Sequence, residues 1–201
     1  MKKGKVEKFL IAGLGNPGEK YKKTRHNFGF EVLDYFSSEK NKIENTDFPP
    51  EFNYEPKFEG LFSMLNFGDR KVFLIKPQTF MNLSGRSIGK ALSYYKIKKS
   101  NFLLVHDDLD IEIGSLKFSK NSRSAGHHGV ESVINELGSK DFSRLRLGIK
   151  NAQLIASRQV LRDKFVLEKF LPEEEARYRA VLDKAVKAID HFIEVGFKKD
   201  N

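Results

Sequence analysis

The stretch Tyr21-Lys-Lys-Thr-Arg-His-Asn27 follows closely on the loop Gly13-Leu-Gly-Asn-Pro-Gly18. A glycine turn at the end of a strand lets backbone approach a ligand. His26 beside it can move protons near neutral pH, because a free imidazole has a pKa of about 6.5. Two later segments carry matching signals: Lys76-Pro-Gln-Thr-Phe-Met-Asn-Leu-Ser-Gly85 and His106-Asp-Asp-Leu-Asp110. Together they supply a base, a carboxylate and side-chain amides. Those groups can activate water and steady a developing negative charge, which is most of a hydrolytic site.

Competing readings are weaker. Gly13-x-Gly15-x-x-Gly18 matches a dinucleotide fingerprint by letter, but that motif needs a helix opening directly on the loop and an acidic residue closing a second strand. Here Pro17 follows Asn16, and Glu31 and Asp34 fall inside the next helix. The glycines instead allow a tight turn that presents Asn16. His106-Asp-Asp-Leu-Asp110 invites a metal reading, yet consecutive strand residues point to opposite faces and cannot all converge. One inward carboxylate, able to accept a histidine N–H and fix its tautomer, is more economical. Asp108 and Asp110 are then expected to end the strand and start a turn. Asn82, just ahead of a helix, offers an amide that can both donate and accept.

These groups need a scaffold. Phe9-Leu-Ile-Ala-Gly-Leu14 and Phe102-Leu-Leu-Val105 are continuously apolar and read as buried parallel strands. Phe28, Val32, Tyr35 and Phe36 recur at helical spacing, which predicts a helix over about 25–39. Asn41 to Phe58 is a polar, proline-containing excursion. Leu61–Phe67 and Lys71–Lys76 flank Gly68-Asp69-Arg70 as a hairpin. Ser84 is expected to cap a helix carrying Ile88, Ala91, Leu92 and Tyr95. Ser119–Gly126 reads as a polar loop ahead of a helix marked by Val130, Val133, Ile134 and Leu137 and stopped by Gly138. Leu145, Leu147 and Ile149 alternate with Arg144, Arg146 and Gly148 like a half-buried strand. A last helix starts near Pro172, has Glu173–Glu175 at its N-terminus and ends at Gly196. Strands interleaved with helices define an α/β fold: a single domain with a twisted mixed β-sheet flanked by helices. Ligands in such sheets bind beyond the C-terminal ends of strands. The whole chain, 1–201, reads as that one domain, with 1–8 as an N-terminal extension and 197–201 as a tail.

The bulk numbers agree. A chain of 201 residues, 39% hydrophobic and 31% charged, is globular. No apolar run approaches the ~20 residues needed to span a bilayer, and Phe9-Leu-Ile-Ala12 is too short for a signal or transit segment, so the expected compartment is the cytoplasm. With no cysteine, thiol nucleophiles and Cys-ligated zinc are excluded. The net charge of +9 points to a polyanionic partner. Lys117, Lys120, Arg123, Arg146 and Lys150 form the densest basic region. Arg123 and Lys120 precede a helix N-terminus, which also favours anions.

Taken in order, Gly-Leu-Gly-Asn-Pro-Gly, Tyr-x-x-Thr-Arg-His-Asn-x-Gly, Lys-Pro-x-Thr-x-Met-Asn-x-Ser-Gly and His-Asp-Asp-Leu-Asp make the chain resemble the bacterial-type peptidyl-tRNA hydrolases. Arg144-Leu-Arg-Leu-Gly-Ile149 and Phe165-Val-Leu-x-Lys-Phe170 extend the likeness over nearly the whole chain. The resemblance implies cleavage of the ester between a peptide and the 3′ ribose of tRNA, with no metal or organic cofactor, by a monomer. It implies His26 as the base, Asp107 as its partner and Asn16 as the amide that separates peptidyl from free aminoacyl ends. It places Tyr21, Phe80, Met81 and Asn82 along the groove for the tRNA 3′ end and peptide. Lys117 and Arg146 fall on the family's phosphate-binding surface. The chain departs from the family where Gly-His-Asn-Gly is usual: here it reads Gly126-His127-His128-Gly129, so a second imidazole replaces a substrate-binding amide, and the resemblance implies that both His127 and His128 contact substrate. The loop Ser119–Ala125 is also less glycine-rich, and Ser119 stands where a second lysine is usual, with Lys120 next to it. An RNA-binding protein on the same fold, like a plastid splicing-factor relative, is the alternative. The presence of His26, Asp107, Asn16 and Asn82 favours the enzyme.

Overall fold

Phe9 to Ala12 are apolar on both faces of one extended segment, so this segment is stable only where both faces are covered. In the computed structural model, which describes residues 6–44, 51–155 and 162–196, it becomes β1 (Lys8–Gly13), a central strand with parallel neighbours on either side. Those neighbours are β4 (Arg70–Pro77) and β5 (Phe102–Glu112). Among the described residues, seven strands form one sheet in the order β2-β3-β4-β1-β5-β7-β6. β7 (Ser143–Lys150) continues the parallel centre. The edges are antiparallel: β2 (Asn53–Glu55) and β3 (Gly60–Phe67) on one side, β6 (Leu116–Lys120) on the other. The mixed sheet therefore follows from the hairpin at Gly68, where φ is +59°, and from a second reversal between β6 and β7.

Strand alternation splits the core in two. Phe9, Ile11, Leu103, Val105, Leu145 and Leu147 face α1 (Phe28–Glu44) and α6 (Glu175–Val195), burying Phe28, Val32, Phe36, Val181, Ile189 and Phe192. Leu10, Ala12, Phe102 and Leu104 face α2 (Ser84–Tyr95) and α3 (His128–Leu137), burying Ile88, Leu92, Val130 and Val133. Two short helices, α4 (Ala152–Ile155) and α5 (Arg162–Phe165), lead into the last helix.

Several local expectations change. The helix expected from about residue 25 starts at Phe28, because Arg25–Asn27 form a tighter 3₁₀ turn held by main-chain bonds from Arg25 N–H to the Glu168 carbonyl and from His26 N–H to the Val166 carbonyl, 2.9 and 2.8 Å. Ser84 does not cap α2: it is the first residue inside the helix, and its buried hydroxyl has no partner among the described residues. Residues Pro172–Glu174 make a 3₁₀ turn, and α6 proper begins at Glu175. β5 does not stop at Asp108 or Asp110 but runs to Glu112, because β7 lies alongside it and Asp108 finds a cation there. Of the polar excursion, α1 takes residues up to Glu44 and β2 takes Asn53–Glu55; residues 45–50 lie outside the described part, as do 1–5 of the extension and the 197–201 tail.

One close approach fixes where the site can form. Gly29, in the first turn of α1, lies so near the end of β1 that an added Cβ would sit 2.5 Å from the Leu14 amide nitrogen and the Val105 carbonyl oxygen. Those two atoms are themselves hydrogen-bonded at 2.9 Å, so neither can yield freely. Gly29→Ala is expected to cost about 1–3 kcal/mol by overpacking, read as a lower urea midpoint with an unchanged slope. An unaltered midpoint would show that α1 can slide away from the strand.

Candidate active site

β1 and β5 end side by side, and the loops leaving them carry the residues singled out above. On β5, Phe102 and Leu104 point to the α2/α3 face, while Leu103 and Val105 point to the α1/α6 face. Alternation then sends His106 to the first face and Asp107 to the second. The 3₁₀ turn after Thr24 brings His26 over Asp107. The His26 Nδ1 lies 3.0 and 3.1 Å from the two Asp107 oxygens. Nδ1 therefore donates, and Nε2, the acceptor nitrogen, has no hydrogen-bond partner among the described residues. Burial of the ring works against its charged form, but the Asp107 charge and hydrogen bond outweigh it and Asp163 adds to them, so the imidazole is more basic than usual. Burial also pushes the Asp107 carboxyl up, yet its contacts with His26 and His127 hold it well below the usual carboxylate range.

Asp107 has a second partner. His127 Nε2 lies 3.0 Å from Asp107 Oδ1. His127 is also the N-cap of α3: its Nδ1 accepts the Gly129 and Val130 amides at 3.1 and 3.4 Å. A nitrogen that accepts two N–H groups carries no proton, so His127 is the neutral Nε2–H tautomer and donates to Asp107. Expected to contact substrate, His127 is committed at both ring nitrogens to the protein. Its ring stands 4.8 Å from that of His26 and 4.9 Å from that of His106. His106 is buried and neutral, its pKa lowered well below the ordinary value first by burial and then by His127.

The ligand atoms of His26, Asp107 and His127 lie within 4.8 Å of one another, the donor types a metal takes. The tautomer argues against a metal here. A metal needs the Nε2 lone pair of His127, which would put the ring proton on Nδ1, against the two amides that Nδ1 accepts. The donor set fits a hydrogen-bonded cluster and does not fit a cation.

Asn16 is locked from three sides. Its main-chain N–H and carbonyl bond the side chain of Asn27 at 2.9 and 3.0 Å. Its Oδ1 accepts the Met81 N–H at 2.9 Å. The Nδ2 group is what remains to donate to a ligand. Met81 itself is buried against Gly129 and Leu14, so its main chain, rather than its side chain, serves the site. Asn82 is exposed on the following 3₁₀ turn, Met81–Leu83. Tyr21 and the exposed Phe80 make an edge-to-face pair at 6.5 Å. Between the 124–128 loop and α5 a small cavity of about 180 Å³ opens on His26, Asp107, His128 and Asp163. His128, at the start of α3, is exposed.

The basic residues are arranged along the β6–β7 edge. Lys117 lies opposite Arg146 in register. The Arg146 Nε donates to Asp108 Oδ2 at 2.7 Å, leaving the rest of its guanidinium outward. Lys120 is exposed near Asp141, 3.6 Å away, and Arg123 is exposed on the loop. Four contributors escaped the sequence reading: Asn27 as the clamp on Asn16, Asp108 as the partner of Arg146, Arg144, and His127 as the second donor to Asp107. All four stand in motifs quoted above, but none of those motifs shows the long-range contact itself.

Fold and geometry define the class: a three-layer α/β protein with a histidine–carboxylate pair and free amides at the ends of its central strands, equipped to activate water. The comparisons are specific. Residues 10–201 match the family model "Peptidyl-tRNA hydrolase". The chain is 42% identical over 190 residues to the peptidyl-tRNA hydrolase of Desulfitobacterium hafniense, covering 94% of this chain and 95% of that one. It is 43% identical over 192 residues to that of Citrifermentans bemidjiense, covering 94% of each. The crystal structure of peptidyl-tRNA hydrolase from Acinetobacter baumannii superimposes with a TM-score of 0.82 at 28% identity, covering 92% of this chain and 88% of that one. The chain belongs to the peptidyl-tRNA hydrolase family.

Proposed function

We propose that this enzyme hydrolyses the ester between a peptide, or an N-blocked amino acid, and the 3′ ribose of tRNA, with His26 as general base. The observation that carries the proposal is the His26–Asp107 pair: Nδ1 faces both carboxylate oxygens, which leaves Nε2, without a hydrogen-bond partner among the described residues, to take up water. Nε2 takes a proton as the water oxygen bonds to the ester carbonyl carbon. Asp107 stabilises the imidazolium that results. The carbonyl oxygen becomes an oxyanion, for which Asn82 and the Nδ2 group of Asn16 are the donors at hand. Collapse breaks the bond to the ribose 3′ oxygen, which leaves with the proton from His26. Tyr21 and Phe80 offer aromatic surface to the unstacked 3′ end. Lys117, Lys120, Arg123 and Arg146 offer charge to its phosphates, consistent with the net +9. No helix among the described residues is long and apolar enough to cross a membrane. We assign the cytoplasm and a monomer as the working form.

The test is release of N-acetyl-amino acid from N-acetyl-aminoacyl-tRNA, with unblocked aminoacyl-tRNA as control. Release from the blocked substrate alone supports the assignment. Tight, salt-sensitive tRNA binding without release would make the chain an RNA-binding protein on this fold. Asp107→Asn sharpens the test. A general base works only when neutral, so activity rises with pH through the His26 pKa. Asp107 raises that pKa, so its loss moves the acidic limb to lower pH while turnover falls about 100-fold. An acidic limb that stays in place would disconnect the two residues.

A further inference from the structure

Arg144 is a buried cation that makes no ion pair among the described residues. Its side chain is 2% exposed, and no acidic group lies within ion-pair distance among the described residues. Burial first, then Arg146 beside it, bring its pKa down to about 10 against the opposing charge of Asp108, so it stays charged at neutral pH. Such a charge is costly, and an apolar side chain of similar volume would serve packing better. The guanidinium spends its donors elsewhere. Nη1 donates to the Arg123 carbonyl at 3.0 Å, and Nη2 donates to both the carbonyl and the hydroxyl of Ser122. All three acceptors belong to the loop that joins β6 to α3.

That loop is under strain and ends on the site. Asn121 and Ala125 have φ of +54° and +53°, and Gly126 has +83°. A β-carbon in the left-handed region persists only where its surroundings hold it there. One end is held by Arg144. Beyond it, the His127 N–H donates to the Ser124 carbonyl at 3.1 Å, and the His127 ring caps α3 and donates to Asp107. We propose that Arg144 is a positioning residue: by gripping Ser122 and Arg123 it sets the loop that fixes the tautomer and placement of His127, and through His127 the orientation of the Asp107 carboxylate beneath His26. The inference rests on the His26–Asp107 reading for its effect on rate, but not for its effect on His127.

The experiment pairs kinetics with ¹⁵N NMR of the histidine rings in Arg144→Lys and Arg144→Gln, with thermal unfolding in parallel. Lysine keeps the charge but cannot fork to acceptors on two residues. The wild type is expected to show His127 as one Nε2–H tautomer. In Arg144→Lys, His127 is expected to give averaged ring shifts, and kcat to fall about 10- to 100-fold from misplacement with KM changed much less. Should Arg144→Gln fail to fold, Arg144→Lys carries the test alone. Averaged His127 shifts with kcat unchanged would keep the loop clamp but remove its catalytic consequence, overturning the proposal as stated. A single His127 tautomer in a folded Arg144→Lys, with only the melting temperature lowered, would make Arg144 a packing residue and overturn it entirely.

Discussion

His26→Ala is expected to leave the fold intact and to lower turnover of N-acetyl-aminoacyl-tRNA by at least about 10²- to 10⁴-fold, the contribution of a positioned general base. The fold survives because the residue is held by its main chain, through the bond to the Val166 carbonyl, which alanine keeps. The ring's hydrogen bond among the described residues is to Asp107, and that carboxylate retains the His127 donor when His26 is gone. Near-UV circular dichroism and the unfolding midpoint should therefore match the wild type within error, while tRNA binding persists. The variant separates base from binding site. Activity above a few percent of the wild type would mean that another group takes the proton. His127 is poorly suited to replace it, since its free lone pair is spent on the Gly129 and Val130 amides. His106 is buried away from the cavity.

What the chain disclosed in advance, and what it withheld, has a physical division. His26, Asp107, Asn16 and Asn82 stand in short motifs at strand ends, so local pattern places them at one edge of the sheet without knowledge of long-range packing. The same is true of β1, the start of β5 and the hairpin, whose apolar runs and turn residues are local signals. Arg144 shows the limit. Its alternation with Leu145 and Leu147 reads as a solvent-facing position, yet it is buried, because the loop ahead of α3 returns over that face of β7. No residue of β7 records that return. His127 and His128 are adjacent imidazoles with identical local chemistry. Their separate environments, one capping α3 and one exposed, depend on where Asp107 arrives from β5. Ser84 fails as a cap for a related reason: the 3₁₀ turn at Met81–Leu83 runs into α2, so the helix entry lies one turn earlier than composition implies.

The second large effect concerns stability. Arg25, next to the base, is fully buried, and its Nη2 donates to Glu174 Oε2 at 2.7 Å. Its Nε and Nη1 atoms have no acceptor among the described residues, and its guanidinium carbon lies over the Phe165 and Phe170 rings, 4.3 and 4.9 Å from their centres. Glu174 also accepts Asn151 Nδ2 at 2.7 Å and the Leu171 N–H at 2.8 Å. One carboxylate thus ties the His26 turn to the segment that leads into α6. Glu174→Ala leaves Arg25 charged and unpaired in the core, at an expected cost of about 3–5 kcal/mol. For a chain of this size that corresponds to a melting temperature lower by about 6–20 °C. The pH dependence has a definite sign. Burial raises the Glu174 pKa, but its bonds from Arg25, Leu171 and Asn151 outweigh this and leave it lowered. The pair's contribution is therefore present at neutral pH and is lost as pH falls through the acid range, below the carboxyl's unfolded value. Acid unfolding of the wild type should begin to release this contribution there, whereas Glu174→Ala should show a flatter stability profile across the same range. The double variant Glu174→Ala with Arg25→Met is expected to recover part of the loss by removing the stranded charge. If the single and double variants are equally unstable, the loss comes from the Leu171 and Asn151 bonds rather than from the ion pair, and the turn bearing His26 is held by main-chain bonds alone.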